Sequence, residues 1–160
     1  MLGVPQMTLT VDRESPMGAD LDLLFQRHAA EMQADTPPES IHMLPRAGLA
    51  EPAIAFFVIR DAGRPVAMGA LKDLGGPEAE VKSMHVLAEC RGRGLSRMLL
   101  RHLIGHAQGM GKSRLSLETG VQPGFVAARG LYTRAGFSEC PPFGSYRPDP
   151  NSVFMTMALA

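Results

Sequence analysis

The run Cys90-Arg91-Gly92-Arg93-Gly94-Leu95-Ser96-Arg97 sets three cations and two glycines where a strand reads straight into a helix. Apolar positions Leu95, Met98, Leu99, Leu103 and Ala107 recur at three- and four-residue spacing and define one buried helical stripe, with Arg97, Arg101 and His106 off it. A cation at a helix start opposes the macrodipole by about 0.3–1 kcal/mol. An anionic ligand removes that conflict. Gly92 and Gly94 carry no Cβ to block a phosphate, and the unbonded N–H groups of a first helical turn can donate to its oxygens. The same residues also fit an ordinary solvated, arginine-rich helix entry.

Other phosphate-binding patterns are missing. There is no Gly-x-x-x-x-Gly-Lys-Ser/Thr loop, and a dinucleotide fingerprint fails because Arg97 stands where its third glycine belongs. The run Arg91-Gly92-Arg93-Gly94-Leu95-Ser96 instead resembles the (Gln/Arg)-x-x-Gly-x-(Gly/Ala) signature of the GNAT family of N-acetyltransferases, with Ser96 departing from Gly/Ala at the last place. Downstream, Leu131-Tyr132-Thr133-Arg134-Ala135-Gly136-Phe137 is similar to the family's Leu-Tyr-x-x-x-Gly-Phe element. The tail from Cys140 to Met155 resembles a bacterial branch of the family, one member of which is linked to indole-acetic acid. The resemblance implies acetyl-CoA as cosubstrate, held by backbone groups of Arg91, Gly92, Arg93, Gly94, Leu95 and Ser96 at its pyrophosphate and by Met84, His85 and Val86 along its thioester arm. No metal is implied.

Acetyl transfer to an amine needs a neutral nucleophile, a donor for the developing oxyanion and a way to stabilise the departing thiolate. Glu80 lies eleven positions before Arg91, where a branch of the family carries its catalytic glutamate. A carboxylate there can take the proton of an alkylammonium whose pKa is about 10. Glu80 paired on the surface with Lys82, two places along the same strand face, is the alternative. By resemblance, the Met84 amide serves the oxyanion at a strand bulge and the Tyr132 phenol serves the thiolate. A phenol is a slightly weaker acid than a thiol, which favours hydrogen bonding over full proton transfer. Phe125 stands where relatives carry a cofactor-contacting asparagine and is given no such role. His42, Thr119 beside Glu118, Tyr146 and Arg147 fall in segments that border the acceptor in relatives. With Phe143 they would suit a small amine with an apolar body and a carboxylate.

These residues need a scaffold. A strand is expected over Met7–Asp12, then a helix from Gly18-Ala19-Asp20 with Leu21, Leu24, Phe25, His28, Ala29 and Met32 on its apolar side, ended by Thr36-Pro37-Pro38. A short helix is expected over Ser40–Arg46. Strands over Ala53–Arg60 and Pro65–Asp73 are joined by the turn Asp61-Ala62-Gly63-Arg64. Glu80–Leu87 runs into the glycine turn and the arginine-rich helix, and Arg114–Glu118 follows as a strand. Pro123 opens a helix that closes at Gly136, and Phe137–Cys140 and Ser152–Leu159 are the last strands. This order is the one expected of the α/β GNAT acyltransferase fold that the resemblance implies: a central mixed, mostly antiparallel sheet of about seven strands flanked by about four helices.

The 160 residues suffice for a single domain, 1–160, with its own core. Sixteen basic against sixteen acidic side chains leave no global field toward nucleic acid, and no apolar run reaches the roughly twenty residues that span a bilayer. The N-terminus lacks the form of a secretory signal, so a cytoplasmic protein is expected, with Cys90 and Cys140 as free thiols. The expected activity is acetyl transfer from acetyl-CoA to the amine of a small molecule, without nucleic-acid or membrane partners. A protein or peptide amine, and a non-catalytic acyl-CoA sensor, are the other readings. Val153, Phe154 and Met155 could pair subunits in a homodimer or simply pack a core.

Overall fold

Adjacent residues of one strand show how the molecule is layered. In the strand Ile54–Asp61 (β2), Phe56 stacks on Phe25 with ring centroids 5.7 Å apart, while Phe57 meets the rings of His102 and His106 at 4.8 and 5.1 Å. Neighbouring strand residues point to opposite faces. The helix carrying Phe25 (α1, Asp22–Asp35) therefore covers one face of the sheet, and the helix carrying both histidines (α2, Leu95–Gly109) covers the other. Burial on both faces explains why β2 reads as an unbroken apolar run instead of alternating. His106, expected off the helical stripe, is half-buried on Phe57.

The computed structural model describes residues 8–160. Its sheet has seven strands in the order β1-β2-β3-β4-β5-β7-β6, with β1 Leu9–Arg13, β3 Arg64–Asp73, β4 Glu78–Val86, β5 Arg114–Gly120, β6 Ser138–Glu139 and β7 Ser152–Ala158. Met7, the expected first residue of β1, lies outside the described residues. All pairings are antiparallel except β4 with β5, which α2 joins as a crossover. The Asp61-Ala62-Gly63-Arg64 turn is a two-residue hairpin loop with positive φ at both Ala62 and Gly63, the twist that matches flanking strands. A third helix, α3, spans Val126–Ala135 behind a turn opened by Pro123 and stops at left-handed Gly136.

Two expectations change. No helix forms over Ser40–Arg46: two 3-10 turns, Pro38–Ser40 and Arg46–Ala50, flank irregular chain. Pro45 supplies no N–H and pushes Leu44 away from helical geometry. Three α-helices, not four, therefore flank the sheet among the described residues. Of the two readings left open for the last strand, core packing fits Met155, which is buried in the main core; Phe154 is buried against Phe143 and Tyr146, and Val153 is partly buried, with β7 between β5 and β6.

Candidate functional site

The parallel ladder between β4 and β5 stops at Val81 opposite Leu117. Beyond it β4 continues to Val86 against β3, and β5 continues to Gly120 against β7. The two strands part, and a cavity of about 930 Å³ opens along the gap. Leu87 N–H donates to Val66 of β3, 3.0 Å away. Strand alternation then turns the polar groups of Val86, and those of Met84 one pleat earlier, away from β3. The Val86 carbonyl indeed accepts from Arg91 Nε at 3.1 Å.

A bulge lies just upstream. Met68 faces His85 and Ala70 faces Lys82, so Ser83 and Met84 together oppose Gly69. Ser83 takes φ of 57°, a conformation costing a non-glycine residue about 1–3 kcal/mol, and its buried hydroxyl has no hydrogen-bond partner. Gly69 makes room for this arrangement: a Cβ there would sit 2.8 Å from Met84 Sδ and 3.0 Å from a Leu99 methyl of α2. A glycine inside an otherwise apolar strand is the sequence signal of this close approach.

At one end of the cavity lies the start of α2. Gly94 caps it in the left-handed region at φ 78°, and the first helical bond runs from Met98 N–H to the Gly94 carbonyl at 3.0 Å. Leu95, Ser96 and Arg97 thus have no helical acceptor for their N–H groups, and no side chain caps them. The arginine conflict is partly resolved inside the chain. Glu31 of α1 takes Arg91 through both carboxylate oxygens at 2.8 and 2.9 Å, and Asp61 takes Arg93 at 3.0 Å. Arg97 and Arg101 line the cavity and form no ion pair among the described residues.

At the other end three side chains close on one another. Glu80 is 3% exposed; its Oε2 accepts from Tyr146 Oη at 2.6 Å and from Lys82 Nζ at 3.1 Å. Lys82 also donates to Tyr146 Oη at 2.9 Å. The expected pairing of Glu80 with Lys82 exists, yet it is buried in the cavity wall and not on the surface. Burial, then the Glu80 charge, pushes the Tyr146 phenol well above its usual pKa. Tyr146 sits on the proline-rich loop before β7. Asp149 pins that loop, accepting from Ser40 Oγ at 3.0 Å and lying 3.2 Å from His42 Nε2, while the His42 ring meets Tyr146 edge-on. Glu118 lines the same space, its carboxyl pushed up by desolvation despite a 2.8 Å bond from Ser152 Oγ.

Tyr132, on α3, lines the cavity while only 6% exposed, and desolvation, then Glu118, raises its pKa above the ordinary phenol value. His85 lies on the wall toward α1, with its ring 5.2 Å from that of His28 and a buried Nε2 that lacks a partner. Desolvation and the neighbouring ring push His28 down to about 4, so both imidazoles are neutral near pH 7.

The cavity gathers Glu80, Met84, His85, Val86, Arg91, Gly92, Gly94, Leu95, Ser96, Tyr132, His42, Thr119 and Tyr146. Three named residues stand apart, the first being Phe143, which packs against Tyr146 and Phe154 outside the lining. Arg93 turns its side chain to β2, and Arg147 is exposed and outside the lining. Arg129 donates to the Gly120 and Gln122 carbonyls at 2.6 and 3.3 Å, tying β5 to α3. Phe125 packs over Gly120, where a Cβ would meet its ring at 2.4 Å. His28, Glu31 and Asn151 were not foreseen in the lining. For Glu31 the available signal was its position one helical turn from His28 on α1.

Comparison with known proteins gives a consistent result. Residues 21–137 match the model of the acetyltransferase (GNAT) family. The chain is 41% identical over 142 residues to YsnE of Bacillus subtilis, an uncharacterized N-acetyltransferase, covering 89% of this chain and 94% of that one. It is 39% identical over 153 residues to an IAA acetyltransferase of Azospirillum brasilense, covering 94% and 98%. Among solved structures, a GNAT family acetyltransferase from Elizabethkingia anophelis with acetyl-CoA bound shares the fold, with a TM-score of 0.68, 16% identity and coverage of 95% and 99%.

Proposed function

The chain belongs to the GNAT acetyltransferase family, and we propose that this acetyl-CoA-dependent enzyme acetylates the amine of a small molecule in the cytoplasm by direct attack in a ternary complex. The observation that carries the acceptor class is the roof of the cavity. The loop before β7 is tied through Asp149 to Ser40 and His42, and Tyr146 reaches from it to Glu80. A fixed cover over the base suits a compact amine, whereas a lysine inside a polypeptide needs a groove through which the chain can pass on both sides. The name of the Azospirillum relative, an IAA acetyltransferase, points to a small acceptor as well.

The residues present fit the cosubstrate. The open N–H groups of Leu95, Ser96 and Arg97, with Arg97 and Arg101 beside them and nothing over Gly92, suit a pyrophosphate. Backbone groups of Met84 and Val86 on the unpaired edge of β4 suit the thioester carbonyl and the amide arm. Bound there, acetyl-CoA supplies an activated acyl group. Glu80 takes the ammonium proton of the acceptor, directly or through a water, and Lys82 and Tyr146 hold the carboxylate in place. Met84 N–H is fixed before reaction where negative charge develops on the carbonyl oxygen.

Tyr132 holds a hydrogen bond toward the departing sulfur. Its raised pKa makes full proton donation to a thiolate uphill, and it also keeps the hydroxyl protonated where a free phenol, with pKa about 10, would have ionised. Tyr132→Phe is expected to lower kcat about 10- to 100-fold, the worth of one hydrogen bond to a charged atom. A stopped-flow pH profile should show the wild-type advantage persisting through the alkaline range. A wild-type rate in the variant would remove Tyr132 from the mechanism.

The function is tested by thiol release from acetyl-CoA against a panel of small amines, amino acids and peptides, with calorimetric titration of acetyl-CoA alongside. Turnover of a small amine supports the reading. Turnover confined to peptides overturns the acceptor class, and tight binding without any turnover favours a sensor.

A further inference from the structure

Only three of the sixteen cationic side chains are lysines: Lys72, Lys82 and Lys112. Lys112 is buried at the sheet end, donating to Asp73 and to the Gly76 carbonyl, and neither it nor Lys72 lines the cavity. Lys82 does. It stands where β4 leaves β5, one residue before the bulge and two before Met84, with its side chain 8% exposed and Nζ 3.1 Å from Glu80 Oε2. Arginine, which supplies the other thirteen cations, could carry the charge of this pair but presents no nucleophilic amine.

We propose that Lys82 is a site of self-acetylation, the protein's own amine occupying the acceptor position beside Glu80 when no small amine is bound. This rests on the reading of Glu80 as the base. Glu80 takes one proton from the Lys82 ammonium and later returns it to solvent. The freed Nζ lone pair attacks the thioester carbonyl carbon, the C–N bond forms and the C–S bond breaks, and the nitrogen's second proton leaves with the sulfur as thiol. Acetylation removes the cation that faces Glu80 and fills the space beside Tyr146. The modified enzyme is therefore blocked at its acceptor end, while the start of α2 is untouched. An acceptor that occupies the cavity protects Lys82, so the modification reports acceptor scarcity.

The test incubates the purified full chain with acetyl-CoA and no amine, then maps the lysines by tryptic digestion and mass spectrometry. Acetyl-Lys82, marked by a lost cleavage after residue 82, is expected to exceed acetylation at Lys72 and Lys112 by about tenfold or more, as proximity demands. Turnover of the wild type should decay during the preincubation, whereas in Lys82→Arg the initial rate, whatever its value, should hold steady. Lys82 left unmodified, or modified no more than the other two lysines, while a panel amine is turned over would overturn the inference and leave the small-amine reading standing. Acetyl-Lys82 with no panel amine turned over would support the inference and count against that reading.

Discussion

Glu80→Gln should lower kcat by about 10²- to 10⁴-fold while calorimetry finds acetyl-CoA affinity unchanged. The amide keeps the shape of the side chain and can still accept from Tyr146, but it takes no proton from the acceptor. The substitution also strands a charge. Glu80 and Lys82 are both buried, with side chains 4% and 8% exposed, and removing one member of such a pair costs about 3–5 kcal/mol. Against a typical total of about 5–15 kcal/mol, that is enough to mimic a catalytic defect by unfolding. The double variant Glu80→Gln, Lys82→Met separates the effects. Without the stranded ammonium its denaturation midpoint should recover most of the loss, yet kcat should stay low. Recovery of kcat along with stability would mean that Glu80 serves only to neutralise Lys82.

This cluster also shows where sequence reasoning reaches and where it stops. Both motif segments could be located because each is local: glycines at fixed offsets from a helical stripe, and a Leu-Tyr pair four residues ahead of a Gly-Phe stop. Sheet composition was legible for the same reason, since apolar runs and the Asp61–Arg64 turn are short-range signals. Tyr146 is different. It meets Glu80 across 66 positions of sequence, and no periodicity connects a proline-rich loop to the middle of a strand. The Arg91–Glu31 pair bridges 60 positions and was equally invisible. Without that pair the arginines look more dependent on a ligand than they are. The helix expected over Ser40–Arg46 failed because Pro45 outweighed the pattern, and the segment serves instead as the ledge to which Asp149 ties the cavity's roof.

Gly94→Val is expected to weaken acetyl-CoA binding by about 10- to 100-fold, through two costs that can be measured apart. Gly94 holds φ of 78°, where a β-branched residue is strained by about 1–3 kcal/mol, so the chain relieves strain by shifting the first turn of α2. The N–H groups of Leu95, Ser96 and Arg97 then no longer converge on one point, and Arg97 and Arg101 supply charge beside the site without restoring that convergence. Gly111 supplies the control. It has φ of 79°, lies just past the other end of the same helix, has open space around it and does not line the cavity. Gly111→Val should show a comparable fall in thermal stability with calorimetric affinity for acetyl-CoA intact. Equal affinity losses in the two variants would assign the effect to general destabilisation of α2. A loss confined to Gly94→Val would locate the phosphate contact at the helix start, where the crowding of Arg91, Arg93 and Arg97 first suggested an anion.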